Sequence, residues 1–492
     1  MTLQSPIQNP LQFYIGGAWV EPLGTSRIQV LNSATEEVFS TVAEAQDADI
    51  DRAVAAARAA FDKGPWPRLS PQERAVYLRA LADQIDTMAE RSATIWACES
   101  GTVYSAGLAV TRTMGDFYRY YADMADTFPF IAEGTSQAPG YHAYLVQEAV
   151  GVVGAIVPWN GPPNLSAIKL APALLAGCTV ILKFSPEAPG MGYLIAEACH
   201  NIGLPPGVVN VLTADREVSE TLVRHPGVDK ISFTGSTAAG RKIGGICGER
   251  MARCTLELGG KSAAIICDDY DGFSAGRLLA ARATFLTGQT CSLLTRIVVP
   301  RHKQQDVLDG MRDYYDSLKI GDPFDPEVGM GPLATGRQRD RVESYVAKAT
   351  AEGARLVVGG NRPSHLNRGY YVAPTVFADV NNHDTIAREE VFGPVLAVIP
   401  VADEAEAIAV ANDSDFGLGG AVFTADADHA LAIARQVRTG TMAHNAHRTE
   451  ALVGYGGFKQ SGIGRLGGVQ GLTAHLEPKT VSLAARPRRE FA

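Results

Sequence analysis

Short runs of β-branched and aliphatic residues alternate with helix-length stretches from about residue 151 onward. This alternation constrains the fold more than any other feature, because it predicts βα units and a mostly parallel sheet. A sheet of this doubly wound kind binds its ligand at the carboxyl ends of its strands. The first series comprises five runs: Gly151–Val157, Thr179–Leu182, Val208–Leu212, Lys230–Phe233 and Cys254–Leu256.

A second alternating series follows the first and predicts a second α/β domain, which a chain of 492 residues can accommodate. Its runs are Ala263–Cys267, Arg296–Val299, Leu356–Val358, Val395–Val401 and Ala421–Thr424.

The segment before these series is predicted to be mainly helical. Ser70 is followed by a proline and by Glu73, a capping-box pattern that predicts a helix over about 71–90. Residues 140–149 and Lys479–Leu483 read as strands outside both series. Such orphan strands commonly pair with another subunit.

Composition excludes several classes of function. A net charge of −9 provides no basic face for a phosphate backbone, so nucleic acid is not expected as a partner. Seven cysteines without regular spacing suggest a reducing compartment rather than a disulfide framework. The longest uncharged apolar stretch, Leu170 to Leu182, is shorter than the about 20 residues of a membrane helix. With no secretory signal at the N-terminus, we expect a cytoplasmic protein without a membrane partner.

Two glycine patterns and a histidine pair resemble known binding motifs but lack their context. Residues 462–467 satisfy GxGxxG without a preceding strand, and Gly260-Lys261-Ser262 lacks the earlier glycine of a phosphate-binding loop. His444 and His447 have no acidic or cysteine ligand nearby and are interpreted as surface histidines. No metal site is predicted.

Three polar loops follow strands of the first series. They contain Pro158-Trp159-Asn160, Lys183-Phe-Ser185-Pro186 and Gly235-Ser236. The last also opens a helix, whose free N–H groups can face a pyrophosphate, although a plain strand-to-helix turn explains it equally well when taken alone.

The cysteines divide into two kinds by their neighbours. Cys98, Cys178 and Cys267 lie among apolar residues and are interpreted as packing residues. Cys291 lies in a small polar loop where a thiolate can be reached by substrate. From this context alone, a nucleophile and an ordinary loop cysteine both remain open.

Six motifs together strongly resemble the aldehyde dehydrogenase superfamily, in its order and over nearly the whole chain. They are Pro158-Trp-Asn160, Phe233-Thr-Gly-Ser236, Leu256-Glu257-Leu-Gly-Gly-Lys261, Gly288-Gln-Thr-Cys291, Glu389-Glu390-Val-Phe392-Gly-Pro394 and Gly456-Gly-Phe-Lys-Gln-Ser-Gly462. The resemblance implies a Rossmann-like cofactor domain over 1–130 and 150–259, and an α/β catalytic domain over 260–460. It also implies a small β oligomerisation arm over 131–149 and 470–492, which makes homodimers or homotetramers.

The resemblance implies hydrolytic oxidation of an aldehyde to a carboxylic acid with NAD or NADP. Cys291 is then the nucleophile, Asn160 with the Cys291 backbone N–H the oxyanion hole, and Glu257 the general base. The expected cofactor-binding residues are Trp159, Lys183, Ser185, Pro186, Gly235, Ser236, Glu390 and Phe392. Without the resemblance, Lys183 reads as a solvated loop lysine and Phe392 as a core residue.

Two departures from the family pattern bear on specificity. Many relatives have Lys-x-x-Glu, whose Glu holds the ribose, but here Pro186 occupies that place and Glu187 follows it. NAD remains the expected cofactor, with NADP possible. Gly161 stands where Phe is frequent, which predicts a wide passage lined by Leu165, Ile168 and Tyr455. An apolar aldehyde, aromatic or branched, fits such a passage, although core packing explains Leu165 and Ile168 equally well.

Two other functions compete with this one. A CoA-acylating relative would transfer the acyl group to a thiol, but such relatives generally lack the base that Glu257 represents. A catalytically silent binding or structural relative would not need Cys291, Asn160 and Glu257 together.

Overall fold

The computed structural model describes residues 5–487. Residues 1–4 and the last five of the predicted arm, 488–492, lie outside the described range. The strands are β1 (Phe13–Ile15), β2 (Ala18–Val20), β3 (Arg27–Leu31), β4 (Val38–Ala43), β5 (Ile131–Gly134), β6 (His142–Ala149), β7 (Val152–Val157), β8 (Thr179–Phe184), β9 (Val209–Thr213), β10 (Lys230–Thr234), β11 (Arg253–Glu257), β12 (Ser262–Ile266), β13 (Leu294–Pro300), β14 (Arg355–Val358), β15 (Thr375–Ala378), β16 (Val395–Val401), β17 (Phe416–Gly417), β18 (Gly419–Phe423), β19 (Thr441–His444), β20 (Phe458–Lys459), β21 (Gly462–Ile463) and β22 (Leu476–Leu483).

The α-helices lie mostly between these strands. They are α1 (Asp47–Asp62), α2 (Pro71–Thr87), α3 (Ala89–Ser100), α4 (Tyr104–Thr111), α5 (Met114–Met124), α6 (Pro162–Ala176), α7 (Gly190–Asn201), α8 (Arg216–Arg224), α9 (Thr237–Glu249), α10 (Gly272–Thr284), α11 (Gln304–Asp316), α12 (Gly336–Ala351), α13 (Thr385–Arg388), α14 (Glu404–Asn412), α15 (Ala427–Ala434) and α16 (Gly468–Thr473).

The first predicted series forms one parallel sheet, as expected. Strands β7 to β11 alternate with helices α6 to α9 and lie side by side in the order β9-β8-β7-β10-β11. The chain reverses its direction of winding between β7 and β10, so a crevice opens beyond the carboxyl ends of these two strands. The predicted loops that contain Asn160 and Ser236 both begin at this crevice.

Burial explains why these strands read as continuous apolar runs. Every residue of β7, β8, β9 and β10 is buried, as a parallel sheet covered by helices on both faces requires. Helix α6, on one of these faces, is buried along nearly its whole length.

The second series forms a seven-stranded sheet in the order β14-β15-β16-β13-β12-β18-β19. All five predicted runs are strands of this sheet. Two further strands were missed: β15 has only four residues, and β19, Thr-Met-Ala-His, lacks a β-branched run. The neighbouring strands hold β19 despite its low strand propensity, whereas β15, Thr-Val-Phe-Ala, has the propensity but is short.

The prediction of a mainly helical N-terminal segment is wrong for its first part, because strands β1 to β4 precede α1. The antiparallel pairs β1–β2 and β3–β4 are hairpins of consecutive strands, and β1 also adds to the edge of the first sheet beside β9. The capping box is confirmed: Glu73 N–H donates to Ser70 Oγ, and Ser70 N–H donates to the Glu73 carboxylate.

The two orphan segments form strands outside both large sheets, as predicted. Strand β6 pairs antiparallel with β22 over eight residues and with β5 on its other side. These three strands form a separate small sheet, in which β22 and β5 are the edge strands. Among residues 5–487, no helix is long and apolar enough to cross a membrane.

Candidate active site

The loop that presents Cys291 has a strained backbone. Leu286, Thr287 and Gly288 follow α10 with φ values of 50°, 53° and 74°. The left-handed region costs energy for the two non-glycine residues, so the surroundings must hold them there. A side chain on Gly288 would collide with the backbone of Gly393 and Pro394, which explains the glycine.

Gln289 anchors this loop from inside. Its side-chain amide donates to Leu286 O over 2.9 Å, and its side-chain oxygen accepts from Ala334 N–H over 2.9 Å. Its backbone carbonyl accepts from Asn160 Nδ2, also over 2.9 Å. The sequence analysis did not identify Gln289 as a functional residue, since its role depends on contacts made after folding.

The Asn160 loop, which follows β7, is held by helix α3. Trp96 Nε1 donates to Asn160 O over 2.9 Å, and Ser100 Oγ donates to Trp159 O over 2.6 Å. Since an amide nitrogen carries two hydrogens, the bond to Gln289 uses one and leaves the second available to a reacting oxygen.

Cys291 and Tyr455 form a direct contact. Sγ of Cys291 lies 2.9 Å from the Tyr455 hydroxyl oxygen, within hydrogen-bond distance. Burial, together with the negative charge of Glu257, raises the pKa of the Cys291 thiol well above its usual value. The thiol therefore needs a nearby base and a hydrogen-bond donor before it can react as a thiolate.

Glu257, the last residue of β11, is 1% exposed. Neither carboxylate oxygen accepts a hydrogen bond of ordinary geometry from the residues that the structure describes. Burial raises the pKa of Glu257 to about 7, and the neighbouring Cys291, Lys169 and Tyr455 offset part of this rise. Such a carboxylate can both accept and release a proton near neutral pH.

Lys169 was missed by the sequence analysis and provides positive charge near Glu257. It lies buried in α6, where Nζ donates to Ser232 Oγ over 3.2 Å. Burial lowers the pKa of Lys169 to about 7, against the attraction of Glu257. A single lysine within an apolar helix was the available signal.

Glu390 lies against the backbone that follows Glu257. Gly260 N–H donates to Glu390 Oε1 over 3.1 Å, and a side chain on Gly259 would collide with the same carboxylate. The glycine pair therefore allows this close approach of the carboxylate to the backbone. Burial raises the pKa of Glu390 to about 7.

The rings of Trp159 and Phe392 contact each other edge to face, with centroids 5.4 Å apart and planes at 88°. This contact joins the loop after β7 in the first large sheet to the segment before β16 in the second. Phe392 has a φ of 62°. Gln338 holds this segment by donating from Nε2 to Phe392 O over 2.8 Å. Arg341 donates to Glu390 O over 2.7 Å. Both come from helix α12, and the sequence contained no signal for their contacts.

Lys183 lies within strand β8 and points into the interior, rather than in the loop that the sequence predicted. Lys183 is 6% exposed, and burial lowers its pKa to about 8, so its interpretation as a solvated loop lysine is wrong. Ser185 Oγ donates to the Glu187 carboxylate, which also accepts from Arg337 Nη2 over 2.7 Å. Pro186 lies between these two residues, half-buried.

The loop after β10 suits a phosphate. Ser236 caps helix α9 by accepting from Ala239 N–H over 3.3 Å, and its hydroxyl hydrogen remains available. Gly235 N–H donates to Glu257 O, and a side chain at Gly235 would collide with the Phe233 ring. The N-terminus of α9, with its free N–H groups and no side chain at Gly235, fits the pyrophosphate of a dinucleotide.

Of the predicted passage residues, Gly161 and Leu165 are neighbours. Gly161 precedes the first turn of α6, and a Cβ on it would lie 3.6 Å from Leu165 Cδ1. Ile168 is buried, with its Cδ1 3.2 Å from where a Cβ on Gly467 would lie. Tyr455 is the one in contact with Cys291.

The interpretation of both histidines as surface residues is wrong for His447. Its Nε2 lies 3.3 Å from Ser292 Oγ, and burial lowers its pKa to about 4. His444 is exposed.

Elsewhere in the described chain, potential metal-ligand atoms of Cys267, Glu404 and His429 lie within 4.8 Å of one another. The direct contact of His429 Nε2 with the Glu404 carboxylate over 2.7 Å brings two of these three together.

A scan against protein families matches the aldehyde dehydrogenase family over residues 19–481. The chain belongs to the aldehyde dehydrogenase family. It is 42% identical to geranial dehydrogenase from Castellaniella defragrans over 96% of this chain and 98% of that protein. It is 37% identical to the chloroplastic betaine aldehyde dehydrogenase of Amaranthus hypochondriacus, over 96% of this chain and 95% of that one.

Solved aldehyde dehydrogenases share the whole fold. The Mycobacterium tuberculosis aldehyde dehydrogenase complexed with NAD+ has a TM-score of 0.93 and 41% identity, covering 98% of this chain and 99% of that one. Staphylococcus aureus betaine aldehyde dehydrogenase with NAD+ has a TM-score of 0.95 and 34% identity, covering 98% and 96%. The predicted family, fold class and activity are thus confirmed: this dehydrogenase oxidises an aldehyde to the carboxylic acid with NAD.

Proposed function

We propose that Cys291 is the nucleophile of this dehydrogenase, that Asn160 stabilises the oxyanion and that Glu257 is the general base. The observation that carries the assignment is the convergence of three separate segments on one thiol. Cys291 contacts Tyr455, Glu257 faces both, and Asn160 is tied to the carbonyl two residues before Cys291. A silent relative would have no reason to keep this strained, internally anchored loop.

In the first half-reaction, the Cys291 thiolate attacks the aldehyde carbon and a C–S bond forms. The carbonyl electron pair moves to oxygen, where the free hydrogen of the Asn160 amide and the Cys291 backbone N–H donate to the charge. NAD bound in this cleft supplies the hydride acceptor. The product left on Cys291 is a thioester.

In the second half-reaction, Glu257 takes a proton from water, and the resulting hydroxide attacks the thioester carbon. The carboxylic acid is released and the thiolate is restored. A pKa near 7 suits this base, because a useful fraction is ionised at neutral pH while the group remains basic. This role favours hydrolysis over transfer to CoA.

The cofactor residues are proposed from their placement around one crevice. Trp159 and Phe392 flank the nicotinamide end, Glu390 holds its ribose, Ser236 with Gly235 binds the pyrophosphate, and Lys183 with Ser185 and Pro186 lines the adenosine ribose end. Glu187 supports NAD as the preferred form, since a carboxylate beside Lys183 repels a 2′-phosphate. NADP remains the alternative, because Arg337 partly neutralises that carboxylate.

The substrate is proposed to be an apolar aldehyde with a branched or aromatic body. Gly161 adds no side chain at the start of α6, Leu165 is partly exposed and supplies apolar surface beside it, and Ile168 is buried one turn further along the helix. The likeness to geranial dehydrogenase, named for a branched terpenoid aldehyde, supports this choice.

We further propose the domain roles that the motifs imply. The cofactor domain spans 1–130 and 150–259, the catalytic domain 260–460, and the arm 131–149 with 470–492. The unpaired edges of β22 and β5 can extend their sheet into another subunit, which supports a homodimer or homotetramer. All seven cysteines are free, which supports the cytoplasm as the location.

A panel of aldehydes tests the proposed function. Nicotinamide reduction is measured with aliphatic, aromatic and terpenoid aldehydes, with NAD or NADP, and with or without CoA. The proposal expects the highest kcat/KM for a branched or aromatic aldehyde with NAD, and no acceleration by CoA. A dependence of the rate on CoA would show that the acyl group is transferred to a thiol rather than hydrolysed. A preference for small polar aldehydes would refute the proposed apolar passage.

A further inference from the structure

Tyr455 is held rigidly against the reacting thiol. Its backbone N–H and C=O both pair with Leu466, each over 2.7 Å, in an isolated antiparallel bridge. The flanking residues Gly454 and Gly456 have φ values of 155° and 151° and so allow the sharp path on either side. The side chain is 7% exposed. A phenol fixed this firmly loses little conformational entropy when it makes a hydrogen bond.

The surroundings keep the Tyr455 hydroxyl protonated. The charged groups that face Tyr455 and Cys291 are Glu257 at the end of β11 and Glu390 after α13, while Lys169 in α6 faces Glu257. Burial and the negative charge that Cys291 and Glu257 carry when ionised raise the pKa of Tyr455 well above its usual value. At neutral pH the hydroxyl is therefore a donor.

We propose that Tyr455 is a catalytic residue, whose hydroxyl donates a hydrogen bond to Sγ of Cys291 and stabilises the thiolate in both half-reactions. The inference rests on the role proposed above for Cys291. It assigns to the Tyr455 hydroxyl a chemical role beyond lining the substrate passage. The 2.9 Å separation is the geometry on which the inference depends.

The steps balance without a further reactant. For attack, the Sγ proton passes to solvent, the Tyr455 hydroxyl donates to the thiolate, and the sulfur electron pair forms the bond to carbon. Glu257 takes no part in this step and remains the base for the hydrolytic water. When the tetrahedral intermediate of hydrolysis collapses, the C–S bond breaks, its electron pair returns to sulfur, and Tyr455 again donates to the leaving thiolate.

Alkylation of the NAD-free enzyme tests this role directly. Wild type and Tyr455→Phe are treated with iodoacetamide from pH 5 to pH 10, and modification of the Cys291 peptide is followed by mass. A hydrogen bond to an ionised group is worth about a 10- to 100-fold change in equilibrium. Tyr455→Phe should therefore shift the midpoint of alkylation upward by about 1 to 2 pH units. It should slow alkylation by the corresponding factor at neutral pH.

Tyr315→Phe is the matched control, because Tyr315 is also buried and its hydroxyl has no hydrogen-bond partner within residues 5–487. It should leave the profile unchanged. Should Tyr455→Phe not fold, Tyr455→Met removes the same hydroxyl with a flexible apolar side chain. A wild-type midpoint in a folded Tyr455 variant would overturn the inference. Turnover by Cys291→Ala would instead overturn the proposed function, so the two failures are distinguishable.

Discussion

The side-chain amide of Asn160 donates a hydrogen bond to the carbonyl oxygen of Gln289 over 2.9 Å. This bond joins the loop after β7, in the first sheet, to the loop that presents Cys291, before β13 in the second. It fixes the direction of the second amide hydrogen before substrate arrives, as preorganised oxyanion stabilisation requires.

Replacing Asn160 tests that arrangement. Asn160→Ala should slow the first hydride transfer by about 100- to 1,000-fold, the usual effect of removing one oxyanion donor. The dissociation constant of NAD should stay near wild type. Asn201→Ala, which removes an exposed amide that donates to Gln84, is the control and should leave both values unchanged. Full turnover by Asn160→Ala would remove Asn160 from the mechanism.

The raised pKa of Glu257 predicts the pH dependence of deacylation. The base acts only when ionised, so the rate should fall as pH drops below about 7 and level off about one unit above it. Single-turnover release of the acyl group from Cys291, followed by rapid quench and mass, measures this step. A profile that is flat between pH 5 and pH 8 would show that another group removes the proton.

Cofactor preference should depend on the carboxylate that follows Pro186. Glu187→Gln removes its charge while keeping its size, so binding of NADP should strengthen several-fold relative to NAD. Pro186→Glu should shift the ratio toward NAD, because it adds a second ribose-binding carboxylate. Both ratios can be measured by fluorescence titration without turnover. Unchanged ratios in both variants would show that residues other than Pro186 and Glu187 discriminate NAD from NADP.

Gly161 should control the width of the substrate passage. Its φ of −142° is open to other residues, and a Cβ there would make an ordinary contact with Leu165, so the backbone at this position accepts a side chain. Gly161→Phe should lose about tenfold or more in kcat/KM for a branched aldehyde and less for acetaldehyde. An equal loss for both aldehydes would show that Gly161 does not line the passage.

The sequence predicted the elements whose signal is local. Five alternating apolar runs specified the first parallel sheet, because strands buried on both faces must be continuously apolar, and Ser70 with Glu73 specified the start of α2. The strands β1 to β4, β15 and β19 were missed, because β1 to β4 form two hairpins within a segment interpreted as helical and β15 and β19 have only four residues each.

The candidate site divides in the same way. Motifs identified Cys291, Glu257 and Asn160 because their residue types suit the chemistry. Gln289 and Gln338 were not predicted as site residues, because hydrogen bonds to backbone carbonyls in the folded chain leave no pattern in the sequence. Tyr455 was expected only as a wall of the passage. Its hydrogen bond to the thiol depends on the fold of a segment 164 residues away along the chain.

The assignment of separate roles to Cys291 and Glu257 is the central claim, and a stopped-flow burst tests it most directly. Hydride leaves before water is activated, so Glu257→Gln should still complete the first half-reaction. Mixed with aldehyde and NAD, it should produce about one reduced nicotinamide per active site and then stall, with the acyl mass on the Cys291 peptide. Cys291→Ala should give neither burst nor adduct. Normal steady turnover by Glu257→Gln, or a folded variant without a burst, would contradict the account.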